Sequence, residues 1–176
     1  MNDLSEKMKK IRLIALDVDG TLTDGRIRLD NTDNDTKAFS AKDGLGLEVW
    51  TRYGGISAII TGRTSHVVER RARENSVKYA EQGCRDKSSA LRKIMELEKL
   101  GWEEVCFVGD DLNDLGALTK AGFSAAPADA VPEVRNRVDF VSSFPGGAGA
   151  VREVIVTIMR AQETWERVIA DYLGEK

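Results

Sequence analysis

The 176-residue chain has little of several things, and each shortage removes a class of function. Its two cysteines, Cys84 and Cys106, lie far apart in neither a paired-thiol nor a zinc-ligand pattern, so we expect packed thiols and a reducing cytoplasm. The one histidine, His66, leaves no pair for zinc or copper and reads as an exposed residue in the first turn of a helix. The longest apolar runs, Ile11 to Val18 and Ile56 to Ile60, fall far short of the roughly 20 residues that a membrane helix needs. Charged Met1 to Lys10 precedes a stretch interrupted by Asp17 and Asp19, unlike a secretory signal. Excess positive charge is missing too: 26 basic against 29 acidic residues give a net charge of −3, with no broad cationic face for nucleic acid or anionic lipid. Three prolines and no biased tract, with 41% hydrophobic residues, exclude a disordered chain. The length is that of one domain, residues 1–176.

What is present is an alternation of apolar strands and periodic helices. Arg12 to Val18, Ile56 to Ile60, Lys78 to Ala80, Glu104 to Val108, Phe123 to Ala126 and Asp139 to Val141 read as strands. Gly44 to Tyr53, Ser65 to Asn75, Asp86 to Leu100, Asn113 to Ala121, Val131 to Asn136 and a long segment from Ala150 to Ile169 read as helices. Arg26 to Phe39, with a polar tip at Asp30 to Asp35, predicts a β-hairpin that projects as a flap over about residues 25–40. The alternation implies an α/β, three-layer Rossmann-like fold with a mostly parallel central sheet. Trp50, Trp102 and Trp165 read as packing residues, whereas Val168, Ile169 and Tyr172 carry an apolar stripe from Trp165 toward solvent, where a subunit contact would hide it.

Ligands of such sheets bind beyond the carboxyl ends of the strands. Three polar clusters fall there: Asp17 with Asp19, Thr61 with Arg63, and Asp110 with Asp111 and Asp114. Gathered carboxylates repel by roughly 4 kcal/mol per close pair at an effective dielectric near 20, so a cation is required. Hard oxygen donors without nearby His or Cys favour Mg²⁺, which also takes phosphate oxygens. Asp17 suits a nucleophile that forms an aspartyl-phosphate, and Asp19, two residues on, suits the general acid and base. Lys87 and Thr61 supply a cation and a neutral donor for the phosphoryl oxygens.

The motifs Asp17-Val-Asp19-Gly-Thr-Leu-Thr-Asp24, Thr61-Gly62-Arg63, Lys87 and Gly109-Asp110-Asp111-Leu-Asn-Asp114 occur in an order that resembles the haloacid dehalogenase superfamily. The length, the stretch Ala38 to Gly44 and the segment Gly146 to Glu153 are similar to its capless subclass, in the branch acting on a phosphorylated eight-carbon keto-sugar acid. That resemblance covers about Ile11 to Ala161 and implies a fold without a separate cap domain. It also implies Asp17 as nucleophile and metal ligand, Asp19 as acid/base with a metal-binding backbone carbonyl, Asp110 as a further Mg²⁺ ligand, and Asp111 and Asp114 as support for the metal shell. It places Ser40, Ala41, Lys42, Asp43, Gly44, Arg63, Arg71, Lys87 and Asp19 around the phosphosugar. A homotetramer is implied, in which a neighbour replaces the cap and the segment Gly146 to Glu153, with the tail after it, reaches an adjoining site.

Other readings fit less well. An EF-hand beginning at Asp17 would place glycine and glutamate where this chain has neither. Gly44-Leu-Gly46 lacks the third glycine of a dinucleotide loop. A phosphatase for a nine-carbon keto-sugar acid would be expected to carry glutamate in place of Arg63. A receiver-like signalling domain uses similar groups in a different order, and an inactive synthetase partner would not need both Asp17 and Asp19.

Overall fold

The computed structural model describes residues 2–29, 31 and 35–175. Among the described residues the α-helices and β-strands follow one another as α1 (Asn2–Lys9), β1 (Leu13–Leu16), β2 (Arg28–Leu29), β3 (Asp35–Thr36), α2 (Ala41–Arg52), β4 (Ile56–Ile60), α3 (His66–Glu74), β5 (Tyr79–Glu81), α4 (Lys87–Glu98), β6 (Val105–Val108), α5 (Leu115–Leu118), β7 (Phe123–Ala126), α6 (Pro132–Arg135), β8 (Phe140–Val141), α7 (Ala150–Ala161) and α8 (Trp165–Leu173). Six strands form one sheet in the order β5-β4-β1-β6-β7-β8, and every neighbouring pair is parallel.

Strand geometry explains the two cores. Successive side chains point to opposite faces, so Ile14 and Leu16 join one buried cluster with residues of α2, α7 and α8, while Leu13 and Ala15 join another with residues of α4. Because both faces are covered, β1 reads as an unbroken apolar run, as central parallel strands do. The predicted three-layer α/β arrangement is therefore the observed one, with all six strands of the main sheet parallel.

Two predicted features change. The long helix from Ala150 is two helices, broken at 162–164, where Glu163 adopts a positive φ of 58°. Gln162 Nε2 donates to the carbonyls of Met8 and Ile11, at 3.2 and 2.7 Å. The reversal folds Trp165 and Val168 into the core, so the stripe left exposed is only Ile169, Tyr172 and Leu173. The amino-terminal segment forms α1 and packs Met8 against the core. Separately, β2 and β3 pair antiparallel as the predicted hairpin, whose tip at Asp30 and residues 32–34 lies outside the described residues.

Register sets the site. Leu16 of β1 pairs with Ile59 of β4 and with Val108 of β6. The residues that follow, Asp17, Thr61 and Asp110, consequently leave the sheet at one edge, and the Asp17 N–H donates to the Val108 carbonyl at 3.0 Å.

Candidate active site

The loop after β1 turns sharply because the N–H groups of Thr21, Leu22 and Thr23 all donate to the Val18 carbonyl. Gly20 makes the turn possible at a φ of +99°, and a Cβ there would lie 2.0 Å from an Asp110 carboxylate oxygen. That close approach draws the first acidic motif against the second, and Thr21 Oγ1 donates to Asp110 Oδ1 at 3.1 Å. Gly146 backs the same loop, since a Cβ on it would meet the Gly20 carbonyl at 1.9 Å, while the Gly147 N–H donates to the Thr21 carbonyl. The segment from Gly146 thus begins on this chain's own first acidic loop.

Asp17, Asp110 and Asp114 each bring a carboxylate oxygen within 4.8 Å of the others. Lys87, at the first turn of α4, lies between two of them, with its Nζ 2.6 Å from Asp17 Oδ1 and 2.6 Å from Asp114 Oδ1. The other Asp114 oxygen accepts from the Asp110 and Asp111 N–H groups, at 3.0 and 3.3 Å, and fixes the loop after β6. Burial, then the neighbouring Asp114, push the Asp17 carboxyl up to about 6 against the pull of Lys87. Burial, then Asp17 and Asp114, push Asp110 to about 7. Burial opposes the Lys87 charge, but Asp17 and Asp114 outweigh it, so its pKa lies above that of an ordinary lysine. Three clustered carboxylates facing one ammonium leave negative charge uncompensated. An all-oxygen donor set with that deficit fits a hard divalent cation such as Mg²⁺.

A cleft of about 350 Å³ opens above this cluster and is lined by Asp17, Asp19, Thr61, Gly62, Arg63, Asp111, Leu112 and Asn113. Of the residues predicted for the chemistry, Asp17, Asp19, Thr61 and Lys87 therefore converge, as do Asp110 and Asp114. Asp111 stands apart from the carboxylate trio: its Oδ1 accepts from the Leu112 N–H at 2.7 Å and starts the next turn. Arg63 is half exposed at the cleft, with Nε 3.8 Å from Asp19 Oδ2.

The predicted sugar contacts from 40 to 44 separate. Ser40 caps α2 by accepting from the Lys42 and Asp43 N–H groups, and its carbonyl accepts from Arg71 at 3.2 Å. Ala41 and Arg71 line a second cleft with Phe39 and Val67, and Lys42 lines a third with Phe144 and Arg152. Gly44 lies against the Arg71 guanidinium. Asp43 is buried and accepts from the Gly149 and Arg152 N–H groups at 3.2 and 2.8 Å, satisfying free donors at the start of α7. Burial raises its pKa, partly offset by those bonds.

Two residues at the site escaped the sequence reading. Thr21 is one, although its place in the first motif was a usable signal. Lys37 is the other: it lies on the returning arm of the hairpin, its side chain is only 4% exposed, and its ammonium pairs with Asp19. A single lysine in a weakly alternating segment gives no sequence cue to that contact.

Comparison with known proteins follows the same lines. Residues 71–155 match the family model of haloacid dehalogenase-like hydrolases. The 3-deoxy-D-manno-octulosonate 8-phosphate phosphatase KdsC of Escherichia coli is 40% identical over 160 residues, covering 91% of this chain and 85% of that protein. The crystal structure of the phosphatase of that name from Moraxella catarrhalis, in complex with magnesium ion, phosphate ion and a KDO molecule, superposes with a TM-score of 0.95 at 40% identity, over 98% of this chain and 99% of that one. The cobalt-bound enzyme from Haemophilus influenzae aligns with a TM-score of 0.86 at 36% identity, over 89% and 92%. At 40% identity over nine-tenths of its length and with a fold that superposes over nearly the whole chain, the protein belongs to the haloacid dehalogenase-like hydrolases, in the family of 3-deoxy-D-manno-octulosonate 8-phosphate phosphatases.

Proposed function

We propose that the protein hydrolyses the phosphomonoester of 3-deoxy-D-manno-octulosonate 8-phosphate in an Mg²⁺-dependent reaction through an aspartyl-phosphate on Asp17. The observation that carries this reading is the convergence, by strand register, of Asp17, Asp110, Asp114 and Lys87 beneath one open cleft. When held by Asp17, Asp110 and Asp114, with the Asp19 backbone carbonyl and Asp111 in support, Mg²⁺ supplies the positive charge that lets a phosphate dianion approach three carboxylates.

Asp17 attacks phosphorus as its Oδ–P bond forms and the bond to the sugar oxygen breaks. Asp19 gives its proton to that leaving oxygen, then takes one from the water that cleaves the acyl phosphate. Lys87 holds Asp17 in place by a 2.6 Å ion pair and, with Thr61 at the end of β4, meets charge on the phosphoryl oxygens. Arg63 at the mouth faces the sugar acid, whose carboxylate it can bind as a bidentate partner. Residues 1–176 act as one unit, and the hairpin of about 25–40 reaches the edge of the cleft through the pair of Lys37 with Asp19. We further infer a cytoplasmic homotetramer: Cys84 and Cys106 are unpaired, and Ile169, Tyr172 and Leu173 offer an exposed apolar end for a neighbour. No helix among the described residues is long and apolar enough to cross a membrane.

Phosphate release measured over phosphosugars that include the eight- and nine-carbon keto acids, with and without Mg²⁺, tests the proposal. The eight-carbon substrate should give the highest kcat/KM, and only with Mg²⁺. Preference for the nine-carbon acid, or undiminished turnover with chelator, would contradict it.

A further inference from the structure

The hairpin meets the body of the protein through a line of polar contacts, and its one lysine is buried although much of the flap is open. Ile27 and Leu29 of the hairpin are 44% and 76% exposed, yet the Lys37 side chain is 4% exposed. A lysine taken out of water needs a carboxylate partner. Lys37 has Asp19, with Asp35 Oδ2 at 3.9 Å. Asp35 is anchored in turn, since its Oδ1 accepts from Ser65 Oγ at 3.0 Å, and Ser65 caps α3. The contacts run from the α3 cap through Asp35 and Lys37 to the loop that bears the nucleophile.

We infer that Lys37, held by the hairpin, is a positioning residue that sets the aim of the Asp19 carboxylate. The inference rests on the acid/base reading of Asp19 given above. The other cation near Asp19, Arg63, is half exposed and stands 3.8 Å away, too far for a hydrogen bond that fixes a rotamer. Among the described residues Lys37 is thus the cation that sets the direction of that carboxylate. Among the described residues the hairpin pairs Arg28 with Thr36 and Leu29 with Asp35, and an isolated two-stranded ribbon has little stability of its own. Its seat depends on anchors such as Lys37–Asp19 and Asp35–Ser65.

Both proton transfers depend on that aim. In the first displacement the electrons of the broken P–O bond go to the sugar oxygen, which takes the Asp19 proton. In the second a water oxygen bonds to phosphorus, its proton goes to Asp19, and the Asp17–P bond breaks. A leaving group stable as an anion, such as nitrophenolate, needs no proton in the first step. The leaving group therefore separates misplacement of Asp19 from general damage to the site.

The test compares wild-type protein, Lys37→Met and Asp19→Asn with Mg²⁺ on the sugar-acid phosphate and on p-nitrophenyl phosphate. Burst amplitude with the aryl ester counts competent sites, so rates are expressed per folded active molecule. Lys37→Met should lower kcat on the sugar-acid phosphate by about 10- to 100-fold with little change in KM, while the single-turnover release of nitrophenolate keeps its wild-type rate. Equal losses on both substrates, a change confined to KM, or an unchanged kcat would overturn the inference. Asp19→Asn separates the two claims. If it leaves turnover of the sugar-acid phosphate intact, the acid/base reading itself fails; if it shows the leaving-group pattern and Lys37→Met does not, only the role of Lys37 fails.

Discussion

Asp17, Asp110 and Asp114 place carboxylate oxygens within 4.8 Å of one another although they come from distant parts of the sequence, whereas Ser40, Ala41, Lys42 and Asp43, consecutive in the chain, point into separate environments. The first group is assembled by sheet register, which many buried backbone hydrogen bonds hold. The second lies on the first turn of a helix, where neighbours face different directions by geometry alone. Chemistry in this molecule is placed by the sheet. The side chains proposed for recognition, by contrast, are not gathered at one point by the sheet.

The sharpest way to break that comparison is to remove the chemistry and keep the fold. Asp17→Asn should lower kcat by on the order of 10⁴-fold or more while thermal stability does not fall, because it also removes repulsion among three buried carboxylates. A residual rate near wild type in phosphate-release assays would remove Asp17 from the reaction. Next in size, Gly20→Ala drives a methyl group into Asp110 at a positive φ, and should lower kcat by at least about 100-fold and weaken Mg²⁺ binding measured calorimetrically. Unchanged Mg²⁺ affinity would show that the approach of the two acidic loops is not what builds the metal site.

On the recognition side, Arg63→Ala should raise KM by about 10-fold with kcat nearly unchanged, the loss expected for one charge-assisted contact at an open mouth. A fall in kcat alone would instead tie Arg63 to Asp19. Asp43→Ala sharpens the contrast, because both oxygens of Asp43 accept from the start of α7. It should cost about 2 kcal/mol or more in denaturant unfolding with KM unchanged. A raised KM at full stability would return Asp43 to the substrate.

Metal removal has a pH signature with a definite sign. Asp17 and Asp110 in the metal-free fold titrate at about 6 and about 7, above the ordinary 3.8, so the folded state binds more protons than the unfolded one between those limits. Their contribution to stability is full below about pH 4 and is lost as pH rises through 6 and 7. The melting temperature of chelator-treated protein should therefore fall from pH 5 to 8, and saturating Mg²⁺ should raise it most at pH 8. An Mg²⁺ shift of equal size at pH 5 and pH 8 would contradict proton release on binding.

The fold and the carboxylate cluster were legible because both follow from local pattern: unbroken apolar strands need a sheet covered on both faces, and acidic residues just after those strands must share its edge. The break at Glu163 was not legible, since the apolar periodicity of Val151 to Ile158 resumes at Trp165 and nothing short of the tertiary pull on Trp165 and Val168 marks the reversal. Nor was Lys37, whose partner lies in another element. Asp43 was legible as a residue that matters, but not as a cap for α7, because that contact spans more than a hundred residues.

Rapid chemical quench during a single turnover with the sugar-acid phosphate, followed by borohydride reduction and peptide mapping, tests the central claim most directly. The account predicts reduction of the acyl phosphate at residue 17, converting Asp17 to homoserine, in protein quenched before phosphate is released. Label at another carboxylate, or full phosphate release with none at residue 17 at any quench time, would contradict it.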